Sequence, residues 1–488
     1  MKKKYIKIYY IAFVSIALFS IPSCKKNINL IPTDNITSAN AITSTSTVEL
    51  AIVGAYAGLS NVNTTTSINA VSTTPGAAYD NSIYANAIMS DEVRSGLDNN
   101  SRNYGAEQKW QFDASNPGAS DVTAAWINFY NVIDRVNRVL AVIDNIPGDQ
   151  ATKDRQKGEL LALRAFCHFE LLRNYAQAYD ANALGIPIVL QSSVFGLPAR
   201  NTFAEVISQV KKDLTSAKSL IPTTFSITDP TRIAKLAVSA MQARVALYEK
   251  NWTDAITYAT EAINGAPLAT RSQFPSIWTD VSIAEVIFEI KKSSNTYYIG
   301  VLFRDTNNDV FFSPSYKEID LFDKVNDIRY NSYIKQDLTI AATKEQWLVN
   351  KYPGSGSNKY NNTKVFRTGE MYLIRAEAYE QSGDLVSSAA DLNTLRASRI
   401  TGYVAQTFAS KDIAESAILT ERMKELFCEG HRFFDLKRKG LPVVRDDRDL
   451  VVNPTIPKTL NPTDRNYDLP IPQAEVFANP NIKNNPGY

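Results

Sequence analysis

The sequence predicts a mainly α-helical protein, built of packed helix pairs and interrupted by two long irregular insertions. Three observations predict it. Apolar residues recur at steps of three and four through most of the chain, the period of a one-sided helix. Two stretches far apart place small residues where the helices of a pair would touch. Two long segments lack this period and are instead rich in Asn, Ser, Thr and aromatic residues. The 488 residues, 44% hydrophobic and 21% charged, are ample for a sizeable core.

The chain starts with MKKKYIKIYYIAFVSIALFSIPSC. Lys2, Lys3, Lys4 and Lys7 lead into an apolar run, Ile8 to Ile21, that falls short of the ~20 residues a spanning helix needs. Residues 1–23 therefore read as an export signal. The run closes on Ile21-Pro22-Ser23-Cys24, which resembles a bacterial lipobox, and Cys24 is expected to carry the acyl chains of a lipoprotein. Residues 24–47, rich in Ser, Thr and Asn, read as a flexible tether. The net charge of +2 includes the four leader lysines. The chain beyond the leader is slightly acidic, without the basic stripe that nucleic-acid binding needs. Only Cys167 and Cys428 come after Cys24, too few for a disulfide framework.

Helical periodicity comes next. Residues 48–60 form a short amphipathic helix. In 124–146, Trp126, Phe129, Ile133, Val136 and Leu140 share a face, and Pro147-Gly148 stops the helix. In 154–179 the buried face holds Leu160, Leu163, Phe166 and Cys167; a further helix spans 203–221. LAVSAMQARVALYEKNWTDAITYATEAINGAP (236–267) resembles a tetratricopeptide unit, with Ala243 and Ala246 facing Ala255, Ala259 and Ala262 across the turn Lys250-Asn251-Trp252. A second such unit spans 369–399, with Ala376, Tyr379, Gly383, Asp384 and Leu392 in matching places. Small residues let paired helices approach closely. The insertions are 61–123 and the segment between the two units. The latter holds a strand candidate, VIFEIKK (286–292), and the aromatic stretch 295–316. Regions 48–225 and 226–488 are expected to pack as one globular unit.

ERMKELFCEGHRFFDLKRKG (421–440) concentrates acids, bases, a thiol and His431. It lacks the second histidine of H-E-x-x-H, and the chain has no G-x-S-x-G, P-loop or G-x-G-x-x-G. A structural role is expected, without catalytic residues, metal or cofactor. Leu419, Met423, Leu426, Phe427 and Phe434 would face a core. Arg422 with Glu425, and Asp435 with Arg438, would form i,i+3 pairs of about 0.2–0.5 kcal/mol each if exposed. Gly430 would break the helix, and His431 would be hydrogen-bonded.

The same stretch resembles the hallmark of the SusD/RagB family, E-R-x-x-E-L-x-x-E-G-x-R-x-x-D-L-x-R-x-G. It matches at Glu421, Arg422, Glu425, Leu426, Glu429, Gly430, Arg432, Asp435, Leu436, Arg438 and Gly440. The ending YDLPIPQAEVFANPNIKNNPGY matches a second hallmark through Leu469 to Pro472, Glu475, Asn479-Pro480-Asn481 and the final Asn-Pro-Gly-Tyr. Ser90-Asp91-Glu92 resembles a third. The resemblance implies a SusD-like α–α superhelix of tetratricopeptide-like pairs with an irregular, ligand-facing side. It implies a surface-exposed lipoprotein of the outer membrane in Bacteroidetes-type bacteria. Such a protein captures oligosaccharides, or in some members peptides, for a SusC-type TonB-dependent transporter, and is not an enzyme.

A glycan site combines aromatic faces for sugar C–H groups with planar polar partners for hydroxyls. The insertions offer both. In the first the candidates are Asp91, Arg94, Asn99, Tyr104 and Trp110, with Tyr79, Asn81, Tyr84 and Asn100 nearby. In or beside the second they are Trp278, Tyr298, Phe303 and Tyr316, with Tyr297, Arg304, Asn307 and Phe312. Peptide cargo would rest on backbone hydrogen bonding. A glycosidase would need two carboxylates across a cleft, and the adjacent Asp91 and Glu92 point apart. A bare protein-binding scaffold completes the alternatives.

Overall fold

Helix α1 (Thr45–Ser60) and helix α2 (Ala78–Met89) lead into strand β1 (Val93–Ser95). Helices α3 (Ser120–Leu140), α4 (Gln150–Tyr175), α5 (Phe203–Leu220), α6 (Lys235–Glu249) and α7 (Trp252–Gly265) follow. The strands β2 (Val286–Ile290), β3 (Phe312–Pro314), β4 (Ile334–Gln336), β5 (Trp347–Val349) and β6 (Thr363–Arg367) come next. Helices α8 (Thr368–Gln381), α9 (Leu385–Arg399), α10 (Lys411–Glu425) and α11 (Arg432–Lys439) complete the scaffold. The computed structural model describes residues 41–60, 78–99, 105–111, 113, 120–226, 228–292, 299–305, 308–354 and 361–488. Residues 44–488 form one compact unit. The expected leader, Cys24 and most of the tether lie outside the described residues.

Local chemistry sets the helix ends. Helix α4 begins at Gln150 because the Asp149 side chain accepts from the Thr152 N–H, satisfying one of the free donors at a helix start. Thr202 and Glu205 form a reciprocal capping box on α5. The two repeat units fold as anticipated: Lys250 takes the left-handed φ of 60° that closes α6, and Asn251 caps α7. In the second unit Gly383 at φ 87° closes α8, and Asp384 caps α9. Ala243, Ala246, Ala255, Ala259 and Ala262 are all buried.

Helix α4 is buried on every side from Gly158 to Tyr175, so its charges must be paired inside. Arg164 forks onto Asp213 with two hydrogen bonds of 2.8 Å, and Arg173 holds Glu170 at 2.8 Å. Burial, followed by Arg164, pushes His168 down to about 3, and its Nε2 accepts from the Val189 N–H at 3.2 Å.

Among the described residues the named strands form two-stranded antiparallel pairs. The strand anticipated at 286–292 is β2, and it pairs with β6, placing Glu289 opposite Lys364. The pairing of β1 with β3 sets Arg94 opposite Ser313 and Ser95 opposite Phe312. The two irregular insertions are thereby stitched together.

The C-terminal hallmark is a buried ionic lattice. Glu425 accepts from Arg329 at 3.1 Å, Arg367 at 3.0 Å and Arg399 at 3.0 Å. Glu421 accepts from Arg329 and Arg396, each at 2.6 Å, and Glu429 takes Lys351 at 2.6 Å. The exposed Arg422–Glu425 pair anticipated from spacing does not form. Arg422 turns instead to Asp435 at 2.8 Å, because α11 packs back across α10 after Gly430, at φ 78°. Asp435 and Arg438 do pair, at 2.8 Å, but in the interior. Met423, Leu426, Phe427 and Phe434 are buried as anticipated, whereas Leu419 is only partly covered. His431 is buried too, and desolvation, with Arg244 and Arg173 nearby, keeps it neutral. The final hallmark closes on Arg200, which donates to Gly185 O at 2.7 Å, Lys483 O at 3.0 Å and Asn485 Oδ1 at 2.9 Å.

Candidate functional site

Most of the aromatics anticipated at a ligand face are spent in the interior. Trp278 is 2% exposed and sits among Phe274, Tyr333 and Tyr352, with ring centroids 6.1, 5.3 and 6.3 Å away. Phe303 is buried against Tyr84 and stacks on Tyr352 at 6.4 Å. Tyr79 and Phe312 are likewise buried. The Trp110 indole N–H donates to Met89 O at 2.9 Å, and the Arg445 guanidinium covers its ring at 4.0 Å. Asn99 is buried. Asp91, 1% exposed, is a counter-ion for Arg432 and Lys317, and Glu92 beside it is buried as well. For the aromatic residues the physical reason is common: the insertions are long enough to carry a core of their own, and their large rings fill it. Tyr104, Tyr298, Asn100, Tyr297 and Asn307 lie outside the described residues.

Two candidates, the half-buried Tyr316 and the buried Arg94, do meet, in the wall of a surface pocket. They line a pocket of about 480 Å³ with Leu97, Lys344, Glu345, Gln346, Trp347, Arg448, Val451 and Val452. That volume is in the range of small-ligand sites. The pocket stands where β1 and β3 join the two insertions and the β4–β5 pair lies alongside.

Glu345 organises one wall. Its carboxylate accepts from Arg94 Nη1 at 2.8 Å and Nη2 at 3.0 Å, from the Trp347 N–H at 2.9 Å and from the Leu97 N–H at 3.3 Å. A bidentate guanidinium–carboxylate pair is geometrically rigid, so both flanking segments are fixed to it. Tyr316 opens a short helix, Tyr316–Asp320, capped by Ser315, and its N–H donates to Asp449 Oδ1 at 2.9 Å. Burial pushes Asp449 up to about 6. The guanidinium carbons of Arg94 and Arg448 lie 4.8 and 4.9 Å from the Tyr316 ring centroid.

Trp347 is the second aromatic residue of the wall. Strand alternation puts its neighbour Leu348 inside, 4% exposed, and turns the Trp347 indole to the opposite face. Trp110, Trp126 and Trp278 are 5% exposed or less. Trp347 is half-buried, as is Trp252 at the turn of the first repeat unit, and of these two only Trp347 lines the pocket. A partly open indole edged by guanidinium, ammonium and amide donors can hold the C–H face of a sugar while its hydroxyls are hydrogen-bonded. Sequence reasoning missed Trp347, Glu345 and Arg448. A lone tryptophan in the polar stretch KEQWLVN was the available signal for the first; Arg448, in RDDRDL, reads as a solvated charge run.

Two of the larger cavities carry less of this chemistry. One, of about 780 Å³, runs between α3 and the loop Pro187–Pro198, where Val194 and Phe195 stand 86% and 92% exposed. Another, of about 680 Å³, lies between α5, α6, α7 and β2 and is mainly apolar.

Two family models match the sequence. One, described as SusD family, covers residues 341–488; the other, described as starch-binding associating with outer membrane, covers residues 32–247. SusD-like protein P25 of Formosa agariphila is 24% identical over 423 residues, which span 74% of this chain and 77% of the relative. A SusD-like carbohydrate-binding protein from Bacteroides vulgatus superposes with a TM-score of 0.76 at 24% identity, covering 90% of this chain and 98% of its own. A laminarin-binding SusD-like protein superposes with a TM-score of 0.68 at 20% identity, covering 92% of this chain and all of the other. Both share the mainly helical fold.

Proposed function

Because this chain belongs to the SusD family, we propose that it captures oligosaccharides at the cell surface and delivers them to a SusC-type TonB-dependent transporter. In this reading residues 1–23 are an export leader, Cys24 carries the lipid anchor, and residues 24–47 tether the folded unit to the outer membrane. Regions 48–225 and 226–488 act as one body. The protein binds its cargo and leaves the glycosidic bonds intact.

The observation that carries this reading is the half-buried Trp347 beside Tyr316, ringed by the side chains of Arg94, Lys344, Gln346 and Arg448. The description of the matched N-terminal model, starch-binding associating with outer membrane, supports it. The laminarin binding of one relative in fold makes a β-glucan a sensible first ligand to try.

The test is affinity electrophoresis of the protein through gels containing starch, laminarin and a wider glycan panel, with product analysis for hydrolysis. Retardation by at least one glycan, lost in Trp347→Ala and without cleavage, is the expected result. Migration unchanged by every glycan, or release of shorter sugars, overturns it; co-purified peptides would identify peptide cargo instead. Radiolabelled palmitate entering the wild type and not Cys24→Ala tests the anchor, and co-isolation with a TonB-dependent transporter tests the partner.

A further inference from the structure

We propose, resting on the capture reading above, that the pocket of Arg94, Tyr316 and Trp347 is built for a neutral oligosaccharide and disfavours acidic ones. The charges of its lining, taken alone, suggest the reverse. Arg94, Lys344 and Arg448 contribute three cations to the wall, and Glu345 is its one carboxylate. Such a lining would ordinarily be read as a site for uronate or sulfate groups.

The bonding of those cations removes that reading. The Arg94 fork is consumed by both oxygens of Glu345, with each side chain 3% exposed. Lys344 Nζ donates to Asp309 Oδ1 at 2.7 Å, and the carboxylates of Asp98 and Asp305 also act on it. Arg448 donates to Asp320 Oδ2 at 2.7 Å and to both oxygens of Asp446 at 2.9 and 2.7 Å. Behind Tyr316 stands Asp449, on the Tyr316 N–H. The carboxylates bonded to or standing directly behind the wall thus outnumber its cations. An incoming carboxylate or sulfate would have to displace Asp309, Asp320 or Asp446, or sit beside them against like charge.

A neutral sugar meets no such conflict. Each hydroxyl is both donor and acceptor. It can take a spare N–H of Arg448 or Lys344 and donate to an outer lone pair of Asp320, Asp446 or Asp309, while a sugar face rests on Trp347. Paired charges of this kind act as a two-way hydrogen-bonding surface with little net field.

The experiment uses the full chain in detergent and calorimetric titration with neutral oligosaccharides derived from starch and laminarin. Oligogalacturonate and a sulfated oligosaccharide of matched length are the acidic probes. A neutral ligand is expected to bind with a Kd that changes less than about twofold between ~50 and ~500 mM NaCl, and the acidic probes about tenfold or more weaker. The double variant Asp320→Asn/Asp446→Asn, which strips Arg448 of its partners, is expected to gain affinity for the acidic probes and to make that binding salt-sensitive. Acidic probes binding the wild type as tightly as neutral ones overturns the inference and leaves glycan capture standing; so does a double variant with no such gain. If no oligosaccharide of either kind binds, the capture reading falls and this inference falls with it.

Discussion

Arg432 grips Asp91 across 341 positions of sequence, Nε to Oδ1 at 2.7 Å and Nη2 to Oδ2 at 2.9 Å. Lys317 adds a third bond to the same carboxylate at 2.6 Å. The Ser-Asp-Glu stretch and the C-terminal hallmark are therefore two halves of one interaction, and Asp91 is a structural counter-ion. Removing one partner of a buried pair leaves the other charge uncompensated, at roughly 3–5 kcal/mol. Asp91→Asn is expected to lower the unfolding free energy by about that amount at neutral pH. Burial alone would raise the Asp91 carboxyl, but Arg432 and Lys317 hold it well below the usual carboxylate range. Its contribution is thus present above the unfolded carboxylate pKa and lost as pH falls below it. The gap between wild type and variant should close under acid; urea midpoints that show no gap at neutral pH would sink the assignment.

Glu92, one residue on, titrates the other way. Burial first, then the charge of Asp91, pushes it up to about 8. One oxygen accepts from the Cys428 N–H at 3.2 Å, and Oε2 has no partner among the described residues. A group whose folded pKa is raised stabilises below its unfolded pKa, and that stabilisation is lost as pH rises through the folded value. Glu92→Gln keeps the acceptor and removes the ionisation. It should therefore gain stability relative to wild type as pH rises from about 5 to about 9. Denaturant midpoints at the two ends measure this, and a difference independent of pH would refute it.

How much of this was legible depends on range along the chain. The alanine pairs of α6 with α7 and the sites of α8 and α9 follow from local spacing, so the helices stood in the sequence. Helix α4 starts before the apolar period does, because Asp149 decides its first turn. The β1–β3 pairing joins residues more than two hundred positions apart, which no local pattern encodes. For the same reason spacing paired Arg422 with Glu425, while the fold brought Asp435 to Arg422 and three arginines to Glu425. Arg94 and Tyr316 were reachable from composition. Trp278 and Phe303 were not distinguishable from ligand-facing rings, since an aromatic in an irregular segment looks the same whether that segment has a core or not.

Gly369 offers a steric check on the lattice. A Cβ there would lie 2.6 Å from Glu425 Oε1, the oxygen that takes Arg367 and Arg399 at 3.0 Å each. Gly369→Ala must push this carboxylate off its arginines or shift α8, and overpacking of this sort costs about 1–3 kcal/mol. In α1, by contrast, a Cβ on Gly54 meets nothing within 4 Å, so Gly54→Ala should stabilise by roughly 0.5–1 kcal/mol through helix propensity. Thermal unfolding of the two variants should move in opposite directions; a neutral Gly369→Ala would mean the lattice yields more readily than its geometry implies.

Two tryptophans separate binding from folding. Trp278 packs on Phe274, Tyr333 and Tyr352, and the Lys351 ammonium lies 4.4 Å from its ring centroid. Truncating so large a buried ring costs about 3–5 kcal/mol, so Trp278→Ala should unfold at much lower denaturant, while the fraction that stays folded still binds glycan. Trp347 is half-buried on the outer face of β5, and among the described residues no other ring or cation stacks on it. Trp347→Ala should cost less than about 1 kcal/mol and should lose glycan binding about tenfold or more, since the indole is the pocket's one aromatic face without a guanidinium over it. Parallel denaturation and affinity electrophoresis of the two variants test both halves. If Trp347→Ala binds as well as wild type while Trp278→Ala, still folded, does not, the site lies in the inner aromatic cluster, and the insertion must open to admit its ligand.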